Sequence, residues 1–428
     1  MLVEEHAQSR EGTVVTTDSL IPPLTHPFFI VTPPYTRVSA GVTALHLLCH
    51  FLNRAGYNAY IVQYPPAQGG LRSLPAYVTL QQQPEFPAGM LVPNMTQDVL
   101  DFYHEQRLHP IVIYPEVFDN PLRAKFFGRY ILNYPGRLNK AYTEQESFSV
   151  AYTRALAEYC TTNYPHHAQV TDVLFMPTVD LSYWNTSGSA AERNGVCFYA
   201  GKLKDIHYGA PPNVPDGAIE ILRSQQMSRN EVRRIFWQSR YFLCYEDTAL
   251  ALEAQLCGCP TVFVPNKHFG GVPLAHHEMG EDGSCRYGDA SGLAHAQATV
   301  GGTEAILRRH IDEVPHRIAQ LGLKWLELAR TIEYRGPIRY PFEPRLVFFD
   351  QSFSKTIGFE EGRTFAATRP MRAGVAGLPQ RVGNLIRQTL SDGGGVRAVW
   401  GRTRRGIAKH GLKDFILLLC GVPPRDTN

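Results

Sequence analysis

Charge is thin on the ground in this chain, at 19% of 428 residues with a net +3, and long apolar runs are missing altogether. The longest strictly apolar stretch, Phe415 to Cys420, falls far short of a membrane span. The opening MLVEEHAQSREG has neither a basic start nor an apolar core, so no secretory signal is read there. Cysteine is sparse and scattered: of eight, the closest pair is Cys257 and Cys259, one residue apart at a predicted helix end. Reduced, buried thiols fit that placement, and with it a cytoplasmic location. No Walker loop, G-x-G-x-x-G, G-x-S-x-G or Asp-x-Asp occurs, which sets aside P-loop, dinucleotide-fingerprint and nucleophile-elbow chemistry. His276-His277-Glu278 lacks the second histidine of HExxH, so a loop with solvated histidines is expected and no metal ligand set is assigned. Internal repeats are absent as well.

What is present is an α/β pattern long enough for two cores, with 44% hydrophobic residues. Strands are predicted at 26–32, 59–63, 109–116 and 173–176, and helices at 42–54, 120–133 and 148–160. The small, polar, turn-rich stretch 178–194 marks a domain boundary. A second alternation follows, with a strand from 196, a strand at 218–222, a helix at 229–240 capped by Ser228 with Glu231 in capping-box spacing, and a long helix at 304–332 expected to bend near Val314-Pro315. The aromatic, Pro-rich 336–353 reads as a segment crossing back to the first domain. The expected organisation is an N-terminal extension (1–24), two doubly wound domains (25–180 and 181–350) and a tail (351–428). Ligands are then expected at the carboxyl ends of the strands and in the cleft between domains.

The most informative stretch is YFLCYEDTALALEAQLCGCPTVFVP, 241–265: strand, tight turn, apolar helix, Gly stop, strand. Between Thr248 and Gly258 nearly every side chain is Ala, Leu or Cys, yet Glu253 is ionisable and has no basic residue within a helical turn. A covered carboxylate needs a hydrogen-bonding partner, either an arginine from elsewhere in the fold or the hydroxyls of a ribose. Asp247, Thr248 and Ala249 form the first turn of that helix, where free backbone N–H groups suit a diphosphate.

The strings Leu252-Glu253-Ala254 and Cys257-Gly258-Cys259-Pro260 resemble the nucleotide-binding signature of GT-B glycosyltransferases. Gly201-Lys202-Leu203-Lys204 resembles their Gly-Arg-Leu element, and 114–122 (YPEVFDNPL) is similar to polysaccharide-building, family 4-like members. The resemblance covers roughly 28–350 and leaves the tail unaccounted for. It implies two Rossmann-like domains facing a cleft, a nucleotide-sugar donor on the second, a glycan or lipid-linked acceptor on the first, and neither metal nor cofactor. Lys202 and Lys204 would hold the donor diphosphate, Glu253 the ribose and Glu246 the donor sugar, with Gly201, Lys267 or His268, and Gly41 in the facing loops. Glu116 would meet the acceptor as partner or general base, while Asp119 has helix capping as its simpler role. Glu246 and Glu253 are one residue closer together than the resembled pattern has them. That departure keeps open a GT-B-like protein that binds without turnover, and a nucleotide-sugar epimerase is the third reading.

Residues 371–428 carry a net +7, leaving −4 for the rest. Val382, Leu385 and Ile386, then Val399, Trp400, Ile407, Phe415, Ile416 and Leu419, lie among arginines on either side of Gly393-Gly394-Gly395. Such basic amphipathic helices suit an anionic membrane surface, or packing on the protein itself. With Trp400 as the tail's one exposed-type aromatic and no recognised module, nucleic acid is not an expected partner.

Overall fold

The computed structural model describes residues 24–340, except 37–38, 67–69, 72–73, 75, 79–89, 138–141, 206 and 223–226. The predicted tail helices, almost all of the N-terminal extension and residues 341–353 of the crossing segment lie outside the described residues.

The chain begins with β1 (Phe28–Thr32), α1 (Ala40–Arg54), β2 (Ala59–Gln63), α2 (Gln97–Glu105), β3 (Ile111–Pro115), β4 (Phe127–Ile131), β5 (Phe148–Ala151), α3 (Arg154–Asn163) and β6 (Val170–Val173). These six strands form one parallel sheet in the order β2-β1-β3-β4-β5-β6. Alternation along β1 sends Phe28 and Ile30 toward α1 and sends Phe29 and Val31 into a second apolar layer with Phe118, Leu122, Ile338 and Tyr340. Ser39 starts α1 by accepting a hydrogen bond from Val42 N–H, and Leu45, Leu48, Cys49 and Leu52 carry its buried stripe.

The second half comprises β7 (Val196–Tyr199), α4 (Gly201–Asp205), β8 (Ile219–Glu220), α5 (Arg229–Gln238), β9 (Tyr241–Cys244), α6 (Leu250–Leu256), β10 (Thr261–Phe263), α7 (His276–Met279), β11 (Ser284–Arg286), α8 (Ala290–Thr299) and α9 (Thr303–Arg330). Its five strands are again all parallel, ordered β11-β10-β9-β7-β8. The described residues thus build two Rossmann-like, doubly wound parallel α/β sheets. Among the described residues no helix is long and apolar enough to cross a membrane.

Three expectations need correction. Residues 120–133 form a turn and then β4, not a helix: Asn120 uses its side chain to hold both the N–H and C=O of Ala124, closing a loop. Phe127, Arg129 and Ile131 then alternate with Gly128 and Tyr130 across the sheet. Gly128 is required there, because a Cβ would sit 2.1 Å from the Phe148 ring. Residues 148–160 begin as the strand β5; the helix starts only after Thr153, whose Oγ1 accepts from Leu156 N–H. The strand expected at 173–176 lies at Val170–Val173, with Leu174 and Met176 turning into the core beyond it.

The chain's return to the first sheet also begins earlier than 336. Helix α9 runs unbroken through Pro315 and changes partners around it. Leu307 belongs to the second core, whereas Val314, Ile318, Leu321, Trp325, Leu326 and Ala329 complete the first. Trp325 stacks on Phe148 at 5.0 Å. The following segment stays on the first domain, with Arg339 N–H donating to Leu122 O and Tyr340 Oη to Gln63 O.

Candidate active site

In each sheet the winding reverses once, between β1 and β3 and between β7 and β9. Loops leaving the carboxyl ends of such neighbours run to opposite faces and leave a crevice, the usual ligand position in open α/β sheets. Residues at these two points therefore have the strongest positional claim to chemistry.

At the second sheet's reversal, Glu246 follows β9 and is buried, with 3% of its side chain exposed. Its Oε2 accepts the backbone N–H of Lys202 at 2.6 Å, and its Oε1 lies 3.9 Å from Lys202 Nζ. Gly201 makes this approach possible. Its φ is +39°, and a Cβ would lie 2.8 Å from the Glu246 carboxyl carbon and 2.6 Å from the Tyr199 ring. Lys202 keeps 20% of its side chain in solvent.

The buried carboxylate of this segment is thus Glu246. Glu253 is only half-buried, since α6 covers Ala251, Ala254, Gln255 and Leu256 and leaves Leu252 and Glu253 toward its more open side. An apolar composition concealed that open side, because Leu252 and Ala249 need only partial cover. Asp247, Thr248 and Ala249 do not form the first turn of α6, which starts at Leu250; Ala249 precedes it and accepts Glu253 N–H, while Thr248 Oγ1 accepts Leu250 N–H. Asp247 accepts Leu274 N–H at 3.0 Å. Burial raises its pKa above the ordinary carboxylate value; the Leu274 bond, Lys202 and Arg137 pull it down, and Glu246 adds to the rise. Lys204 lies in an ion pair with Glu220, at 2.7 and 2.8 Å, so its side chain serves the edge of the sheet. Lys267 is exposed in the loop after β10, beside His268.

At the first sheet's reversal, Glu116 follows β3, is 4% exposed and accepts Leu132 N–H at 2.9 Å. Burial pushes its carboxyl up to about 7, against the opposing pull of backbone N–H groups, including those of Leu132 and Asn133, and of Arg129. Gly41 stands in the first turn of α1, where a Cβ would make only ordinary contact with Leu132, so nothing local demands glycine. Asp119 caps no helix; it accepts the N–H groups of Thr143 and Glu144 and lies 3.5 Å from Arg129. Arg129 is fully buried among Glu146, Phe118 O and the Tyr142 ring, 3.8 Å away.

The carboxyl ends of the two sheets meet. Leu274, from the second half, packs into the cluster of Ile131, Ala151, Leu156 and Cys160. Glu278 of α7 accepts Arg154 N–H at 2.8 Å, adding a second cap to α3. Arg137, in the turn after β4, donates to His268 O at 2.7 Å, and the His207 and His268 rings stack at 3.5 Å. Sequence reasoning passed over Arg137 and His207. The signals were a Tyr-Pro-Gly-Arg turn at a strand's carboxyl end and a histidine just beyond the Gly-Lys-Leu-Lys string.

No protein-family model matches the chain, and no curated protein does. Among solved structures it is similar to the glycosyltransferase SnogD from Streptomyces nogalater, at 12% identity over 72% of this chain and 100% of that one, with a TM-score of 0.33. It is similar also to a glycosyltransferase from Rickettsia africae (10% identity, 72% and 99% covered, TM-score 0.37). A third is the T4 phage β-glucosyltransferase (9% identity, 72% and 98% covered, TM-score 0.34).

Proposed function

We propose that the protein is a glycosyltransferase that moves a sugar from a nucleotide-sugar donor, held on the second sheet, to a hydroxyl of a glycan or lipid-linked acceptor on the first. The observation that carries this reading is the buried Glu246 against Lys202, seated where the second sheet reverses its winding. A buried carboxylate with a flexible cation beside it suits a ligand that is part sugar hydroxyl and part phosphate. In the proposed step the bond from the anomeric carbon to the diphosphate oxygen breaks and the electron pair leaves on the diphosphate, where Lys202 balances the charge. The acceptor oxygen bonds to the anomeric carbon, and its proton passes to Glu116, whose carboxyl titrates near neutrality. Glu253 and the turn at Asp247, Thr248 and Ala249 would hold the ribose and phosphates. Neither a metal nor a cofactor has a part in this scheme. Surface-polysaccharide synthesis at the inner face of a membrane, with the basic tail on anionic lipid, is the setting it suits.

Binding without turnover is favoured by two contacts: Glu246 already holds Lys202 N–H, and Lys204 is engaged by Glu220. A thermal-shift screen of UDP, GDP, dTDP and CMP sugars tests the donor site, because a ligand at a hundredfold excess over its Kd stabilises by about 2.7 kcal/mol. One nucleotide class should raise the Tm, and Lys202→Ala should abolish the rise. Should none do so, the donor site is refuted. Sugar transfer to an added acceptor then separates the transferase from a binding protein, and product formed without acceptor would indicate an epimerase.

A further inference from the structure

Four basic groups from three segments converge where the sheets meet: Lys202 in α4, His207 just after it, His268 in the loop after β10 and Arg137 in the turn after β4. His207 follows α4, its N–H donating to Lys202 O at 3.0 Å. His268 follows β10; its N–H donates to Asn266 Oδ1 at 3.0 Å, while Asn266 Nδ2 donates to Tyr245 O at 2.8 Å. The two imidazoles lie face to face, centroids 3.5 Å apart and 3° from parallel. Arg137, from the first sheet, holds the carbonyl of His268. Both histidines are exposed, so a ligand in the crevice can reach them.

Two protonated rings at that separation repel one another, and Arg137 and Lys202 stand close enough to add to the repulsion. Burial, then His268, Arg137 and Lys202, hold His207 below its ordinary pKa, and Glu246 alone pulls the other way. His207 is therefore kept short of protons at a place where positive groups have been gathered. A multiply charged anion reverses the balance, since it gains from every proton the rings accept.

We propose that His207 and His268, with Lys202 and Arg137, form a phosphate cradle that spans both sheets and takes up a proton as a diphosphate enters. This rests on the donor reading above and adds two things to it. Arg137 brings the first sheet into contact with the donor's phosphates, and affinity for the donor becomes linked to pH.

The test is calorimetric titration of inorganic pyrophosphate and of the nucleoside diphosphates at pH 6, 7 and 8, using the full chain and its His207→Asn, His268→Asn and Arg137→Gln variants. Circular dichroism confirms that each exposed-site variant folds. Pyrophosphate's own titration is common to all four proteins, so differences between them belong to the side chains. Wild-type affinity should improve from pH 8 to pH 6 by about tenfold more than that of either histidine variant, as expected for one linked proton. Arg137→Gln should weaken binding about tenfold at every pH. Buffers of differing ionisation heat should report proton uptake in the wild type and its loss in the histidine variants. The same pH dependence in all the proteins overturns the cradle and leaves the donor reading standing. Failure of the wild type to bind any of these ligands between pH 6 and 8 overturns both.

Discussion

Glu116 and Gly201 show how single residues set the site. The Glu116 carboxyl is pushed from 4.5 to about 7, so between those values the folded protein holds a proton that the unfolded chain has released. The associated stability is fully present below pH 4.5 and is lost as pH rises through 7. A displacement of that size corresponds to about 3 kcal/mol. Urea denaturation at pH 5 and pH 8 should therefore show a decline in the wild type that Glu116→Gln lacks; equal slopes would mean that Glu116 is not buried as described. Gly201→Ala places a methyl 2.6 Å from the Tyr199 ring and 2.8 Å from the Glu246 carboxyl, at a positive φ. A loss of about 1–3 kcal/mol is expected, together with weaker donor binding, because Glu246 is one of the two side chains that must yield. Unchanged stability in the alanine variant would refute the close approach.

Elements were legible where one structural period ran for several residues. Strand β1, helix α1 and the strand-helix-strand of β9, α6 and β10 were read within a few residues, since buried strands and an apolar helical stripe each repeat over their length. Where strands follow one another without an intervening helix, as β3, β4 and β5 do, the sequence pattern points to helix instead. Asn120-Pro121 looks like a helix start, and only the packing of Phe148 over Gly128 reveals a strand. Lys202 and Glu246 could be named from sequence, but their mutual contact could not, since it joins loops 44 residues apart. Arg137 is more remote still, 131 residues from the carbonyl it holds. Helix α9 was found, but its split allegiance was not, because apolar spacing does not say which sheet a stripe faces. Trp325→Ala should cost about 3–5 kcal/mol in chemical denaturation, through loss of a side chain 1% exposed and stacked on Phe148. A cost below 1 kcal/mol would show that α9 is not part of the first core.

At the scale of the whole described molecule, Glu278 joins the two halves through one charge-assisted bond to the start of α3. Thr153 still caps the helix from its own side, so Glu278→Ala should cost only about 1 kcal/mol. Amide exchange in the first turn of α3 should then quicken about fivefold, with β1 to β3 unaffected. Unaltered exchange there would show that α7 is not docked as described. The path of α9 has a consequence for synthesis. The ribosome delivers all six strands of the first sheet before residues 314–329, which close one of its faces, have been translated. Until then the nascent sheet carries an open apolar trough, so the half of the protein made first is the half that must wait for the last described helix to finish folding.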